Sequence, residues 1–168
     1  MLELTTIDSP IGALTIAARG ERVCLLHFGR DGTVPRAMLQ RWYPSEAVEL
    51  HPDPAGAVAA LRRYFAGSVA ALDGIEVEMN GTPFQKRVWT ALRSVRCGTT
   101  TSYAAIAKTI NAPRAVRAVG AANGANPVAV IVPCHRIVGT NGSLTGYGGG
   151  LERKRWLLQH EGVLLGCW

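Results

Sequence analysis

One continuous apolar segment, VAVIVP at 128–133, constrains the fold more than any other part of the chain. A run of this kind predicts a buried strand, because a half-exposed strand would alternate apolar and polar residues. Pro133 ends the run, and Cys134, His135 and Arg136 follow it at once. The sequence therefore predicts a rigid strand whose end presents a thiol, an imidazole and a guanidinium.

Cys134 is a candidate nucleophile. A thiol reacts as its thiolate, and a neighbouring imidazole or cation lowers its pKa toward that form. His135 and Arg136 are the candidate activating groups. Because adjacent side chains diverge, we expect His135 to reach the sulfur through a water molecule. The alternative is a structural cysteine beside a surface histidine, and the dipeptide alone does not decide between the two.

The first half of the chain contains predicted strands. Segments rich in Leu, Ile, Val and Thr, broken at Ser9-Pro10 and Arg19-Gly20, predict an antiparallel meander. A further strand is predicted at 74–79. These segments indicate a sheet in which no catalytic constellation is evident.

Two helices are predicted beside these strands, one after Pro35 and one after Pro54, both with helical spacing of apolar residues. The residues NGTP at 80–83 form a predicted turn. We therefore expect an N-terminal α/β domain at 1–80 and a second domain at 81–168.

The second half begins with helices. Thr82 is a candidate N-cap with Pro83 at the first helical position. A second helix is predicted at 102–110, broken at Asn111-Ala112, and a third is predicted to start at Pro113. Two short helices joined by a tight turn are the outline of a helix-turn-helix, although helical hairpins also occur in proteins that never touch DNA.

The third predicted helix carries little side-chain bulk. Its arginines, Arg114 and Arg117, are three residues apart and are expected on one face, where they could reach phosphates or fill a gap in a base stack. The residues around them are small: Ala115, Ala118, Gly120, Ala121 and Ala122. Such a helix could lie in a groove of DNA, or it could pack tightly inside the protein.

Charge is unevenly distributed between the two halves. Residues 1–80 hold seven arginines and ten acidic residues, a net charge of −3, whereas residues 81–168 hold eleven basic and two acidic residues, a net charge of +9. This asymmetry suggests that the second half meets a polyanion. A solvated basic surface is the alternative.

The composition indicates an ordered globular protein in the cytoplasm. Mean hydropathy is +0.11, and no apolar run approaches the roughly 20 residues of a membrane-spanning helix. The four cysteines show no disulfide-framework spacing, so we expect thiols in a reducing compartment. Cys24 and His27 could supply half of a metal site, but no second pair stands at zinc-like spacing, and no metal is expected.

The second half resembles the O6-alkylguanine-DNA alkyltransferase family. PCHRIV at 133–138 is similar to the active-site signature of that family. The resemblance extends in order through residues 82–162 and is carried by FQKRVW (84–89), SYAAIA (102–107), RAVGAANGANP (117–127), TGYGGG (145–150) and KRWLLQHEG (154–162). The first half matches more loosely, as expected for a variable N-terminal domain.

The resemblance implies roles for four catalytic residues. Cys134 corresponds to the acceptor thiol, and His135 to the base that acts through a water. Glu161 corresponds to the carboxylate that orients the histidine. This arrangement is that of a catalytic triad in which a water molecule stands between the histidine and the nucleophile. Asn126 corresponds to the residue that holds the active-site turn. Without the resemblance, Glu161 would be interpreted as a surface charge at a helix end.

The resemblance also implies how DNA is bound. Arg117 matches an arginine that fills the hole left when the damaged nucleotide is rotated out, and Tyr103 matches a tyrosine that contacts its phosphate. The expected DNA-binding residues are Tyr103, Arg114, Arg117, Ala118, Gly120 and Ala121, and those of the base pocket are Val132, Pro133, Tyr147 and Gly148. Some relatives carry a serine where this chain has Gly148, so a side-chain donor to guanine O6 is expected to be missing.

The expected fold is therefore an α/β, ribonuclease H-like N-terminal domain followed by a mainly α C-terminal domain with a helix-turn-helix. The expected function is irreversible transfer of an alkyl group from O6-alkylguanine in double-stranded DNA to Cys134, once per molecule, with O4-alkylthymine as a further candidate substrate. No cofactor is required, no membrane partner is expected, and the protein is expected to be a monomer that could bind DNA cooperatively.

Three alternative functions each differ from the expected alkyl transfer in one feature that can be checked. A binding protein of the same family recognises the lesion without transfer, but it lacks the acceptor cysteine, and Cys134 is present. A cysteine hydrolase that uses Cys134, His135 and Glu161 would turn over repeatedly without DNA. A methyl-sensing transcription regulator would carry a cysteine-rich metal-binding segment, and no such segment stands before residue 82.

Overall fold

The structure is a computed structural model that describes residues 1–165. The chain forms two compact units. One consists of Met1–Asn80 with Pro127–Ile131, and the other of Gly81–Asn126 with the chain from Val132 onward. Pro127–Ile131 thus belongs to the first unit, although it follows 46 residues of the second in sequence.

The first unit contains a four-stranded mixed sheet in the order β3-β2-β1-β4. Strands β1 (Leu2–Ile7), β2 (Leu14–Arg19) and β3 (Arg22–Phe28) form the predicted antiparallel meander. Strand β4 (Val48–Leu50) pairs with β1 in parallel and was not predicted. With three residues, β4 is too short for its sequence to show a period of two.

Helices α1 (Thr33–Trp42) and α2 (Ala57–Phe65) occupy the two predicted regions. A single 3-10 turn at Pro54–Gly56 precedes α2, which therefore begins later than Pro54. Helix α1 contributes Leu39 to a core that also contains Tyr43, which directly follows the helix, and five sheet residues, namely Leu2, Leu4, Ala17, Cys24 and Leu25. The apolar face of the meander is thereby removed from water.

The predicted strand at 74–79 is wrong. Only Val77 forms a bridge, to Val23 of β3. The same edge of β3 also forms a bridge between Leu26 and Val128. Because two segments share one strand edge, each forms a single bridge and neither forms a ladder.

The second unit is mainly helical. Helix α3 (Pro83–Arg93) begins with the predicted cap, because the Thr82 side chain accepts from the Gln85 N–H and the Gln85 side chain accepts from the Thr82 N–H. Trp89 of α3 is buried, and its Nε1 donates to Ala122 O at 2.7 Å. Gly81 allows the indole to lie close, since a Cβ there would stand 2.5 Å from the ring.

Helices α4 (Tyr103–Thr109) and α5 (Val116–Gly124) are the two predicted short helices. The prediction that the second starts at Pro113 is wrong. Asn111 takes a left-handed conformation with φ of 57°, and the Ala115 N–H donates to Ala112 O. An extra turn therefore separates the helices, and Arg114 precedes α5 instead of sharing a helical face with Arg117.

The predicted buried strand at 128–133 is also wrong, although its burial is correct. Residues 127–138 are all buried, yet the chain turns repeatedly through them. Val130 has a φ of 70°, and a 3-10 turn follows at Cys134–Arg136. A continuous apolar run reports burial and does not distinguish a strand from a packed, turning segment.

The last helix, α6 (Leu151–His160), leads into Glu161. None of the helices in residues 1–165 is long and apolar enough to cross a membrane. Among the cysteines that the structure describes, Cys24, Cys97 and Cys134, there is no disulfide. Cys167 lies outside the described residues.

Candidate active site

Cys134 lies at the end of a tight turn that fixes its backbone. Pro133 has φ of −81° and ψ of 61°, which are the angles of an inverse γ-turn, and the Cys134 N–H donates to Val132 O at 2.8 Å. The side-chain amide of Asn126 donates to the same Val132 oxygen at 2.8 Å. Cys134 is 5% exposed, so the thiol is held inside the second unit.

A second set of backbone hydrogen bonds holds the residues that follow. The Thr101 N–H donates to Arg136 O at 2.9 Å, and the Val138 N–H donates to Thr101 O at 2.8 Å. Thr101 stands just before α4, which begins at Tyr103. The position of the Cys134–Arg136 turn is therefore linked to the start of α4.

His135 and Arg136 share the carboxylate of Glu161. His135 Nε2 lies 2.8 Å from Glu161 Oε1. Arg136 Nε and Nη2 donate to the two carboxylate oxygens at 2.9 and 3.0 Å. All three side chains are buried, with Glu161 6% exposed and His135 fully covered. A buried carboxylate with a bidentate arginine and an imidazole is rigidly placed.

The shared carboxylate stays ionised. Burial on its own raises the pKa of Glu161, but the hydrogen bonds from His135 and Arg136 outweigh burial and bring the pKa to about 2. Burial lowers the pKa of His135, although Glu161 acts in the opposite direction. The imidazole is thus kept neutral at rest, with a carboxylate in place to stabilise the cation that forms when it accepts a proton.

The sequence suggested that Arg136 lowers the pKa of Cys134, but the structure shows that its guanidinium is bound elsewhere. Its guanidinium is occupied by Glu161, and Nη1 donates to Val95 O at 2.7 Å. The cation that acts on the thiol is Lys154. Burial raises the pKa of Cys134, while hydrogen bonds with Asn126 and Tyr147 and the charge of Lys154 lower it.

Lys154 is fully buried in α6, and its Nζ donates to Thr145 O at 3.2 Å. Burial lowers the pKa of Lys154 to about 8, against the opposing influence of a Cys134 thiolate. A buried ammonium is costly unless an anion compensates it. The thiolate form of Cys134 supplies that anion, so the two groups favour each other's charged state.

A cavity of about 350 Å³ adjoins the Cys134 segment, because its wall includes Asn123, whose Nδ2 donates to Cys134 O. Its lining contains two tyrosines, one amide and several glycines: Tyr103, Gly120, Asn123, Gly124, Gly146, Tyr147 and Gly148. Tyr103 Oη forms a hydrogen bond with Thr145 Oγ1 at 3.0 Å. A Cβ at Gly148 would meet nothing within 4 Å, so the glycine leaves open space at this point. The volume of the cavity suits a small organic group.

Helix α5 presents a small, exposed face. Arg117, Ala118 and Ala121 are exposed on it, and Arg114 is exposed in the turn before it. Gly120 is half-buried and lines the cavity. The opposite face packs inside the unit through Val119, Ala122 and Asn123. A surface of this composition can approach another backbone closely.

The structure brings most of the predicted site residues together. Cys134, His135, Glu161 and Asn126 form one connected cluster, and Tyr103, Gly120, Tyr147 and Gly148 line one cavity. Val132 and Pro133 are buried and are not among the described residues that line the cavity.

Sequence reasoning missed Lys154 and Asn123. Lysine and asparagine are normally assigned to the surface, so only the segments KRWLLQHEG and RAVGAANGANP could have drawn attention to them. Within residues 1–165, no three His, Cys, Asp or Glu side chains are grouped as metal ligands.

Comparison with known proteins places the geometry in a family. The model described as "6-O-methylguanine DNA methyltransferase, DNA binding domain" matches residues 83–163. The model described as "6-O-methylguanine DNA methyltransferase, ribonuclease-like domain" matches residues 2–79. The two matches together span nearly the whole chain and agree with the α/β and helical architectures of the two units.

Similar proteins and structures lead to the same assignment. The methylated-DNA–protein-cysteine methyltransferase of Mycobacterium bovis is 48% identical over 96% of this chain and 93% of the relative. The protein of that name from Salmonella typhimurium is 54% identical over 67% of this chain and 66% of the relative. The crystal structure of Mycobacterium tuberculosis OGT in complex with DNA matches with a TM-score of 0.79 and 43% identity, covering 95% and 93% of the two chains. This chain belongs to the 6-O-methylguanine DNA methyltransferase family.

Proposed function

We propose that this protein repairs DNA by transferring an alkyl group from guanine O6 to Cys134. The observation that carries the proposal is the combination of a buried thiol, a His135–Glu161 pair at the neighbouring residue and a cavity that adjoins the Cys134 segment. DNA is the partner, and the basic second half, with a net charge of +9 over residues 81–168, suits a polyanion. A monomeric state and a cytoplasmic location remain predictions.

The thiol reacts after it loses its proton. Burial keeps the pKa of Cys134 high, so a base is needed at neutral pH. Neutral His135 is the base: Nε2 is committed to Glu161, and Nδ1, which has no hydrogen-bond partner within residues 1–165, is the nitrogen left to accept a proton through a bridging water. Glu161 stabilises the resulting imidazolium, and Lys154 stabilises the thiolate. The positive charge on His135 and the negative charge on Cys134 thus form beside groups of opposite charge that are already in place.

The transfer is a displacement at carbon. The thiolate sulfur attacks the alkyl carbon, the carbon–oxygen bond to guanine O6 breaks, and a carbon–sulfur bond forms. The guanine leaves with the bonding electron pair and takes up a proton, which Tyr103 and its hydrogen-bonded partner Thr145 are placed to relay at the cavity wall. The product is a thioether at Cys134.

In-line attack requires the nucleotide to leave the helix. Stacked bases block the approach of sulfur to the alkyl carbon, and rotating one nucleotide out costs a few kcal/mol. The exposed face of α5 is small enough to lie in a groove, and Arg117 is exposed on it. We propose that Arg117 fills the space left in the base stack and that the extruded base enters the cavity between Tyr103 and Tyr147.

Peptide mass spectrometry tests the proposed acceptor. After the protein is mixed with a duplex that carries O6-methylguanine, the peptide containing Cys134 should gain one methylene group. The same protein mixed with unmodified duplex is the control and should gain nothing. A methyl group found on Cys24 or Cys97, with Cys134 unmodified, would contradict the assignment.

Replacing Arg117 by alanine should separate duplex repair from the chemical step. We expect the transfer rate from a paired O6-methylguanine to fall at least about tenfold, because extrusion loses a compensating contact worth about 1 to 2 kcal/mol. The rate with free O6-benzylguanine should change little, because no base stack is involved. Single-turnover rates with both substrates provide the measurement.

The control for this prediction is Arg62→Ala, which removes the same charge from an exposed position on α2 in the first unit. It should leave both rates nearly unchanged. Equal losses on the duplex and on the free base in Arg117→Ala would make Arg117 a structural residue.

A further inference from the structure

Asn123 is a buried amide between the thiol segment and the cavity. It lies in α5 and is 5% exposed. Its Nδ2 donates to the backbone oxygen of Cys134 at 3.4 Å. It is also one of the residues that line the cavity, together with Tyr103, Tyr147 and Gly148. The proposed reaction gives this side chain no role.

The other end of the amide lacks a partner. Within residues 1–165, Asn123 Oδ1 is buried and accepts no hydrogen bond. Leaving a buried acceptor unsatisfied costs about 1 to 3 kcal/mol, so such atoms call for an explanation. Because Nδ2 is committed to Cys134 O, which can only accept, Oδ1 is the amide atom left for a group that enters the cavity.

The unsatisfied Oδ1 is a hydrogen-bond acceptor, so only a donor group of the substrate base can pair with it. Alkylation at O6 removes the N1 hydrogen of guanine, so N1, N3 and N7 all carry lone pairs. The exocyclic 2-amino group is then the only N–H donor of the base. Asn123 lines the cavity, and its unsatisfied Oδ1 therefore matches that group and no other part of the base.

We propose that Asn123 determines specificity by accepting a hydrogen bond from the 2-amino group of the extruded O6-alkylguanine. This inference rests on the proposed function, because it requires the alkylated base to occupy the cavity. Asn123 thereby distinguishes O6-alkylguanine from an alkylated base of the same shape without an amino group. A site built to bind an N–H group disfavours the analogue that lacks it, because its own polar atom is then left unpaired.

The test compares the rates of methyl transfer from two substrates to each of three proteins. The substrates are duplexes of one sequence that carry either O6-methylguanine or O6-methylhypoxanthine, which lacks only the 2-amino group. The proteins are the parent, Asn123→Leu and Asn123→Asp. Leucine has a similar branched shape without an acceptor, and aspartate keeps an acceptor. The readout is the single-turnover rate of methyl transfer to Cys134, followed by peptide mass spectrometry.

The ratio of the two rates within one protein carries the result, because it does not depend on the fraction of protein that is correctly folded. We expect the parent to prefer O6-methylguanine by about tenfold or more. In Asn123→Leu this ratio should fall at least about fivefold, mainly through a slower reaction of O6-methylguanine. In Asn123→Asp the ratio should stay close to that of the parent, even if both rates decrease.

An unchanged ratio in Asn123→Leu would overturn the proposal, because any preference would then come from other groups. Equal rates on the two substrates in the parent would overturn it without any variant, which covers the case in which Asn123→Leu does not fold. Failure of the proposed function gives a different result, since the parent would then place no methyl group on Cys134 with either duplex.

Discussion

Replacing Cys134 by serine should abolish alkyl transfer from O6-methylguanine and leave DNA affinity nearly unchanged. Serine keeps the size of the side chain, but its hydroxyl is a far weaker nucleophile than a thiol, and the histidine–carboxylate pair alone cannot compensate for this. The exposed residues of α5 remain as they are, and they carry the proposed contacts to DNA. Single-turnover transfer and a binding titration with the same duplex measure the two properties separately.

Cys97→Ser is the matched control for this substitution. Cys97 lies in the same unit and is partly exposed, so its replacement should leave the transfer rate close to that of the parent. Transfer by Cys134→Ser at a rate near that of the parent would eliminate Cys134 as the acceptor, whatever the binding data show.

Replacing Glu161 by glutamine should destabilise the protein and slow the reaction together. The substitution leaves the Arg136 guanidinium buried without its counter-charge, and breaking a buried ion pair from one side costs about 3 to 5 kcal/mol. The rate should fall at least about 100-fold, because His135 loses the carboxylate that stabilises its protonated form. Urea unfolding and single-turnover rates test the two effects.

The contribution of Glu161 to the free energy of unfolding should decrease as the pH falls. The pKa of Glu161 is about 2 in the folded protein, below its ordinary value of 4.5, so the carboxylate stabilises the fold above that ordinary value. The stabilisation is lost as the pH falls from 4.5 toward 2. The stability difference between the parent and Glu161→Gln should therefore be largest near neutral pH and shrink in acid.

Glu152→Gln is the control on the same helix, since Glu152 is exposed in the first turn of α6. It should change the free energy of unfolding by no more than about 0.5 kcal/mol. If Glu161→Gln matched Glu152→Gln in both stability and rate, the ion-pair cluster would have no role in either property.

Local signals in the sequence predicted the elements whose formation depends on neighbouring residues. The Thr82 N-cap and the Leu-, Ile-, Val- and Thr-rich segments of β1 to β3 act over a few positions, so they can be recognised in the sequence. The segment at 128–133 was different, because its turns depend on pairing with β3 and on the hydrogen bond from Asn126. The apolar composition of this segment predicted that it is buried, but not its backbone conformation.

The site was predictable only in part for the same reason. His135 and Glu161 are 26 residues apart, and nothing in their spacing indicates contact, so the family resemblance alone suggested the pair. Lys154 and Asn123 were missed because tertiary packing decides their burial. Arg114 was assigned to a helical face that the structure does not form, since the turn at Ala112–Ala115 delays the start of α5.

Each molecule of the protein should transfer one alkyl group and then remain inactive. An S-alkylcysteine has no acyl carbon for water to attack, in contrast to the thioester of a cysteine hydrolase with a similar cysteine, histidine and glutamate. Cys134 is 5% exposed and is not among the residues that line the cavity, so atoms added to its sulfur have to fit among packed side chains, and the alkylated protein should be less stable by about 1 to 3 kcal/mol. Neither effect depends on incubation time.

The most direct test is a titration of the protein with an excess of duplex carrying O6-methylguanine, in which repaired guanine and methylated Cys134 are both quantified over time. The proposed mechanism predicts that both yields rise together and stop at one equivalent per protein molecule, however long the incubation. Repaired guanine that continues to accumulate beyond one equivalent, with Cys134 unmodified at the end, would contradict it and indicate a hydrolase.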